Sequence, residues 1–170
     1  PDGEAGKSSG TLLKIWDWLG AAGFTRSDLI VGIGGGAVTD FAGFAAASWL
    51  RGLDWIAIPT TVAGAVDAAI GGKTAINSEY GKNLIGAFHS PSAVIIDVSW
   101  FESLSDRDFA AGLAEVVKAG FISDGKIIQL IGDSNISDLR SNGATVLELI
   151  TRAIAVKAKV VSSDFRESFD

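Results

Sequence analysis

A short apolar run that leads into three glycines, and then into a helix of small residues, constrains the fold of this chain most. The run covers residues 28–34, the glycines are 34–36, and the small-residue segment is 38–49. This order predicts a buried parallel strand and a tight turn into a helix. The N-terminus of such a helix can bind a phosphate through its outward-facing N–H groups. Glycine also occurs there for packing alone, so a nucleotide site and a structural turn both stay open.

The composition excludes several classes of protein. The chain has 170 residues, 48% hydrophobic and 20% charged, which is enough apolar material for a folded core and too much for a disordered chain. The lack of cysteine excludes disulfide scaffolds and cysteine-ligated metals, and the net charge of −6 argues against a nucleic-acid partner. The longest apolar stretch, 41–50, is about half a membrane span. Because the N-terminus does not resemble a signal peptide, we expect a cytoplasmic protein.

Hydrophobic periodicity predicts the remaining elements and a change of character near residue 105. The predicted elements are a helix at 11–22 capped by Ser8 or Ser9, strands at 55–59 and 93–98, a glycine-rich loop with a short helix at 62–90, and helices at 106–122, 124–132 and 143–163. The fold class is therefore α/β, followed by an all-α part. We predict one domain over 1–104 and a second over 105–170.

The glycine turn matches a dinucleotide fingerprint only in part. Gly32, Gly34 and Ala37 satisfy G-x-G-x-x-G/A, but the acid that would bind a ribose is missing, because Asp54 precedes the next strand. Asp40 lies one turn inside the following helix. It is either an acid favoured by the helix dipole or a carboxylate that faces a cofactor or a cationic partner.

Two lysines that directly follow glycines are the densest signal in the chain. They occur in Gly-Gly-Lys-Thr at 71–74 and in Gly-Lys-Asn at 81–83. Ammonium groups beside exposed backbone amides suit phosphate or carboxylate recognition, although a solvated loop is the simpler alternative. The first motif is not a P-loop, because it lacks the upstream glycine and a strand leading into it. Asp67, six residues before Lys73, could orient that lysine.

Glu115 and Lys118 are spaced i, i+3 and share one face of a predicted helix. They form either a surface ion pair or, alternatively, a metal ligand with a substrate-binding lysine beside it. A catalytic zinc site usually has three protein ligands, and the only histidine, His89, has no histidine partner. We expect His89 to pack in a loop or face solvent.

Taken together, these residues resemble the 3-dehydroquinate synthase family of sugar-phosphate cyclases. The resemblance is carried, in the family's order and spacing, by PDGEAGK (1–7), GGGAVTDFAGFAAASWLRG (34–52), IPTTVAGAVDAAIGGKTAIN (58–77), GKNLIGAFHSP (81–91), GLAEVVKAG (112–120) and VKAKVV (156–161). It implies that 1–104 is the C-terminal part of a Rossmann-like NAD-binding domain. It also implies that 105–170 is the first part of a helical zinc and substrate domain, with the active site between the two.

The resemblance also implies roles for individual residues. The implied cofactor contacts are Glu4, Lys7, Gly35, Gly36, Asp40, Thr60, Thr61, Lys82 and the loop 100–103 with Ser103. The implied substrate and catalytic residues are Arg51, Asp67, Lys73, Asn83, Lys118 and Lys157. Glu115 is the implied first ligand of a divalent metal, zinc or alternatively cobalt.

The implied reaction converts 3-deoxy-D-arabino-heptulosonate 7-phosphate into 3-dehydroquinate and phosphate. NAD oxidises the substrate, phosphate is eliminated, the hydride is returned, and an intramolecular aldol reaction closes the ring. The sugar phosphate is the implied partner, and the full-length protein is expected to be a homodimer.

Some of the family's pattern is absent from the chain. The family's N-x-G-H-x-x-x-H segment, which supplies two further zinc ligands, is missing, and the chain begins at Pro1 without methionine. We therefore expect an interior piece of a longer enzyme, inactive by itself. The alternatives are another NAD-dependent sugar-phosphate cyclase, a metal-dependent polyol dehydrogenase of the glycerol type, or a non-catalytic nucleotide-binding fragment.

Overall fold

The computed structural model of the chain describes residues 3–132 and 134–166. The first two residues of the first motif and the end of the second predicted domain, 167–170, lie outside the described residues. The α-helices are α1 (Ser9–Ala21), α2 (Gly36–Ser48), α3 (Asp106–Ile122), α4 (Gly125–Ile131), α5 (Ile136–Ser141) and α6 (Gly143–Ser163). The strands are β1 (Leu29–Gly34), β2 (Asp54–Pro59), β3 (Lys73–Ser78), β4 (Gly81–Phe88) and β5 (Ala93–Val94).

A parallel sheet of three strands, in the order β1-β2-β5, forms the first layer. Helix α2 packs on one face of it, where a Cβ added at Gly32 would lie only 2.6 Å from the Cβ of Ala42. The opposite face of β1 carries Leu29, Val31 and Ile33, which are exposed. The prediction of a fully buried strand was therefore wrong for this face, because the described residues leave its side chains uncovered.

The segment predicted as a glycine-rich loop with a short helix contains a β-hairpin. Strands β3 and β4 pair in antiparallel fashion, and their register shifts between Ile76 and Ser78. The helical part of this segment is short: Gly64–Ala68 form a single π-helical turn, directly preceded by helical residues 62–63. Periodicity missed the hairpin because β3 buries three consecutive residues, 74–76, instead of alternating.

Smaller differences concern element ends. Ser8 caps α1 as expected, its side chain accepting a hydrogen bond from the Thr11 N–H. The third predicted strand is paired only at Ala93–Val94. Helix α5 was not predicted, because six residues are too few to display a helical period.

The helical part and the sheet part share one hydrophobic cluster. Phe109, Val116 and Ile150 of α3 and α6 are buried with Val62 and Val66, which flank or belong to the π-helical turn. The predicted domain boundary near residue 105 stays a prediction, and the largest core extends across it. No helix among the described residues is long and apolar enough to cross a lipid bilayer.

Candidate functional site

The glycine turn and the two threonines meet at the carboxyl edge of the parallel sheet. The Thr60 N–H donates to the Gly34 carbonyl (2.8 Å), because β1 and β2 end side by side. Gly35 is the N-cap of α2, and as a glycine it provides no side-chain cap for the first N–H groups of this helix. The Gly64 N–H donates to the Thr61 hydroxyl oxygen (3.1 Å). The structure thus brings four predicted cofactor residues, Gly35, Gly36, Thr60 and Thr61, into one cradle.

Close packing accounts for the glycines of this cradle. A Cβ added at Gly35 would lie 3.2 Å from the Thr61 methyl group, and one at Gly36 would lie 3.1 Å from the Cβ of Ala68. At Gly64 an added Cβ would lie 2.9 Å from the Thr61 hydroxyl oxygen. Side chains here would push the π-helical turn away from α2.

Lys7 is buried, with 3% of its side chain exposed, and joins two predicted site residues. Its ammonium donates to the Asp40 carboxylate (2.7 Å) and to the side-chain oxygen of Asn83 (2.5 Å). Burial raises the pKa of Asp40, and the hydrogen bond and charge of Lys7 partly oppose that rise. Asp40 therefore faces a cationic partner, which is one of the two sequence interpretations, and that partner belongs to the chain.

A cleft of about 340 Å³ lies along the hairpin. Asp40, Lys73 and Asn83 line it together with residues of β3 and β4. Lys73 is exposed at the start of β3, and Asn83, another predicted substrate residue, is exposed on β4. A lysine ammonium and a side-chain amide at one cleft can together bind an anionic group.

A second cleft, of about 270 Å³, lies between the π-helical turn and helices α3 and α6. It is lined by Asp67, Glu115, Lys118 and Lys157, all of which are predicted site residues. Lys157 pairs with Asp67 at 2.9 Å, and Lys118 forms an ion pair with Glu115. The i, i+3 ion pair of Glu115 and Lys118, one of the two sequence interpretations, is therefore present. It lies at a cleft and not on an open surface.

Glu115 could serve as one ligand of a metal ion, but not as a complete metal site. Its Oε2 is buried, and the partner described for it is the Lys118 ammonium. A buried carboxylate oxygen of this kind suits a divalent cation. Among residues 3–132 and 134–166, however, no group of three or more His, Cys, Asp or Glu side chains could hold a metal ion.

The π-helical turn connects the cradle with the second cleft. Gly64 and Ala68 of this turn pack on Gly36, which begins α2, while Asp67 of the same turn reaches Lys157 on α6. The charge of Asp67 also contributes to raising the pKa of Asp40. The π-helical turn and the first turns of α2 therefore separate the cradle from the two clefts and contribute residues to each.

Three predicted residues are not joined to this region by any contact described for them. Arg51 is exposed and follows the far end of α2, about 20 Å of helix axis from the glycine turn. Lys82 is exposed on β4, and the Ser103 hydroxyl donates to the Trp100 carbonyl (2.7 Å). Their roles stay predictions. His89 packs in a loop, its Nε2 lying 2.7 Å from the Leu53 carbonyl oxygen, as expected.

Two models of one protein family together match the whole chain. Residues 1–111 match the family model described as 3-dehydroquinate synthase N-terminal, and residues 112–170 match the one described as 3-dehydroquinate synthase C-terminal. The chain is 56% identical to the 3-dehydroquinate synthase of Thermobifida fusca over 99% of its own length. It covers 46% of that protein, so the chain spans about half the length of the curated relatives it matches.

Two solved structures share the fold. One is ValA, the 2-epi-5-epi-valiolone synthase of Streptomyces hygroscopicus with NAD⁺ and Zn²⁺ bound, at 30% identity and a TM-score of 0.90, covering 99% of this chain and 48% of that one. The other is a 2-deoxy-scyllo-inosose synthase complexed with carbaglucose-6-phosphate, NAD⁺ and Co²⁺, at 31% identity and a TM-score of 0.84, covering 98% of this chain and 46% of that one. The α/β fold class expected from the sequence is confirmed.

Proposed function

The chain belongs to the 3-dehydroquinate synthase family, and we propose that the protein converts 3-deoxy-D-arabino-heptulosonate 7-phosphate into 3-dehydroquinate and phosphate. One observation carries the proposal. The π-helical turn packs against the cradle on one side and presents Asp67 to the cleft of Glu115 and Lys118 on the other. A dinucleotide and an anionic sugar bound at these two places would be neighbours.

In this proposal the residues of the chain bind the dinucleotide and the substrate and orient them. The first N–H groups of α2 and the Thr60–Thr61 pair hold the dinucleotide, since Gly35 provides no side-chain cap there. Lys73 and Asn83 hold the substrate phosphate at the hairpin cleft, and Lys118 and Lys157 hold oxygens of the sugar. The partly exposed Asp67–Lys157 pair would also keep the lysine pointed into the cleft.

Glu115 would supply one carboxylate ligand to a divalent metal, because it lines the second cleft and its Oε2, which pairs with the Lys118 ammonium, is buried. The NAD and the metal, when bound, would supply reversible hydride transfer and polarisation of the reacting oxygen. Further ligands would have to come from outside the described residues. We therefore propose that a polypeptide of these 170 residues alone has no measurable turnover.

Release of phosphate from 3-deoxy-D-arabino-heptulosonate 7-phosphate by the full-length protein tests the function. We expect release that requires NAD and stops when a chelator removes the metal. Release that is insensitive to both would contradict the proposal, and normal turnover by the 170-residue polypeptide would contradict the ligand assignment.

The proposal extends to the setting of the enzyme. We propose a cytoplasmic homodimer that binds a small sugar phosphate, and neither nucleic acid nor a membrane. The net charge of −6 supports the exclusion of nucleic acid. Size-exclusion chromatography with light scattering on the full-length protein tests the homodimer.

A further inference from the structure

Asn77 lies on β3 at the point where the register of the hairpin shifts, and it belongs to neither set of predicted site residues. Its side-chain amide donates to the Glu4 carboxylate (2.8 Å), and its side-chain oxygen accepts from the Asn83 N–H (2.9 Å). Its own N–H donates to the Lys7 carbonyl (2.8 Å). One asparagine thus contacts residues predicted for the cofactor and a residue predicted for the substrate.

Asn83 adopts a backbone conformation that needs support. Its φ is 58°, in the left-handed region that non-glycine residues rarely occupy, although asparagine tolerates it better than most. The hydrogen bond from the Asn83 N–H to Asn77 is formed in this conformation. Loss of the acceptor would remove that stabilisation and leave the left-handed conformation to compete with extended ones.

The side chain of Asn83 is oriented by Lys7. An ammonium only donates hydrogen bonds, so the atom of Asn83 that faces Lys7 must be the side-chain oxygen. Both N–H bonds of the amide then remain for another acceptor. Since Asn83 lines the cleft with Lys73, that acceptor would be an anionic group bound beside Lys73.

We propose that Asn77 is a positioning residue, which holds Asn83 in the left-handed conformation and thereby presents the amide of Asn83 to an anion bound beside Lys73. This rests on the proposed function for the identity of the anion as a phosphate. Asn77 itself does not reach the anion. It acts only through the backbone of Asn83.

Calorimetric titration of the full-length protein with inorganic phosphate, at fixed ionic strength, tests the proposal. Asn77→Ala removes the acceptor and should weaken phosphate binding roughly tenfold. Asn77→Asp keeps an acceptor for the Asn83 N–H, and it is made together with Glu4→Gln so that two carboxylates do not face each other. Its phosphate affinity should stay within about twofold of that of Glu4→Gln alone.

Asn135→Ala is the matched control, because Asn135 also accepts a backbone N–H bond, from Asp138 (2.9 Å), at a helix remote from the hairpin. It should lower thermal stability and leave phosphate binding unchanged. Unchanged phosphate binding in Asn77→Ala, or an equal loss when Asn77→Asp is added to Glu4→Gln, would overturn the positioning role alone. Failure of the wild-type protein to bind phosphate would overturn the proposed function as well, so the two failures are distinguishable.

Discussion

At the scale of single residues, the Asp40–Lys7 pair has the most definite electrostatic consequence. Asp40 keeps 18% of its side chain exposed, and Lys7 keeps 3%. Burial raises the pKa of the carboxyl, so the folded protein binds this proton more tightly than the unfolded chain does. The contribution of Asp40 to stability therefore falls as the pH rises through that pKa.

We predict that an NMR titration finds the carboxyl of Asp40 with a pKa above 3.8. In Lys7→Met the pKa should rise further, because the hydrogen bond and the positive charge that oppose the rise are both lost. Asp97 is an internal control, since hydrogen bonds from Ser99 lower its pKa, and it should not respond to Lys7→Met. An Asp40 pKa that is unchanged in the variant would contradict the assignment of the pair.

Lys73 is the residue whose loss should affect turnover most selectively. It is exposed at the beginning of β3 and lines the hairpin cleft, so its removal deletes little packing. We expect Lys73→Ala in the full-length protein to lose about 100-fold or more in kcat/KM, with a change in stability within about 0.5 kcal/mol. Lys14→Ala, also an exposed lysine, should retain wild-type kinetics. Wild-type kinetics in Lys73→Ala would exclude its role.

At the scale of elements, α2 and the hairpin are in unusually close contact. A Cβ added at Gly43 would lie 2.4 Å from the Thr74 methyl group and 2.7 Å from the ring of Trp55. Thr74 and Trp55 are buried, so neither can move aside easily. This contact sets the distance between Asp40, which lies on the same helix, and the cleft along β3.

We predict that Gly43→Ala lowers the free energy of unfolding by about 1–3 kcal/mol, because overpacking outweighs the gain in helix propensity. Gly10→Ala in α1 is the matched change, since an added Cβ meets nothing within 4 Å there. It should raise stability by about 0.5–1 kcal/mol. Denaturant unfolding of both variants measures the difference, and equal effects would show that the α2–β3 contact is not tight.

At the scale of the whole molecule, the proposed function requires that helix α3 be held against residues 62–63. A Cβ added at Gly112 would lie 2.5 Å from the Cβ of Val62 and 2.9 Å from the backbone nitrogen of Ala63. Gly112 lies one turn before Glu115 on the same helix. The position of Glu115 relative to Asp67 thus depends on this backbone contact.

Gly112→Ala should therefore lower stability by about 1–3 kcal/mol and also weaken metal binding, because α3 must move away from residues 62–63. Gly125→Ala, at the start of α4, is a suitable control, as its Cβ would meet nothing within 4 Å. Thermal unfolding and metal affinity of the full-length variants would be compared. A Gly112→Ala variant with the stability of Gly125→Ala would refute the close packing.

Much of this arrangement could be predicted from local sequence. The strand–glycine–helix order, the Ser8 cap of α1 and the amphipathic period of α3 depend on neighbouring residues, and the structure has each of them. The hairpin could not be predicted this way, because strand pairing depends on contacts between residues that are distant along the chain. The burial of Lys7 and its bonds to Asp40 and Asn83 were missed for the same reason, since they join residues 33 and 76 positions apart.

By itself the sequence determined the family, the α/β class and the residue types available to the site, because these follow from motifs and periods within short segments. Tertiary structure alone decided which of those residues meet. It directed Lys7 inward to Asp40 and Asn83, paired Asp67 with Lys157, and left Arg51 at the other end of α2. The physical reason is that a charged side chain is buried only where partners from other elements compensate its lost hydration, and packing brings those partners together.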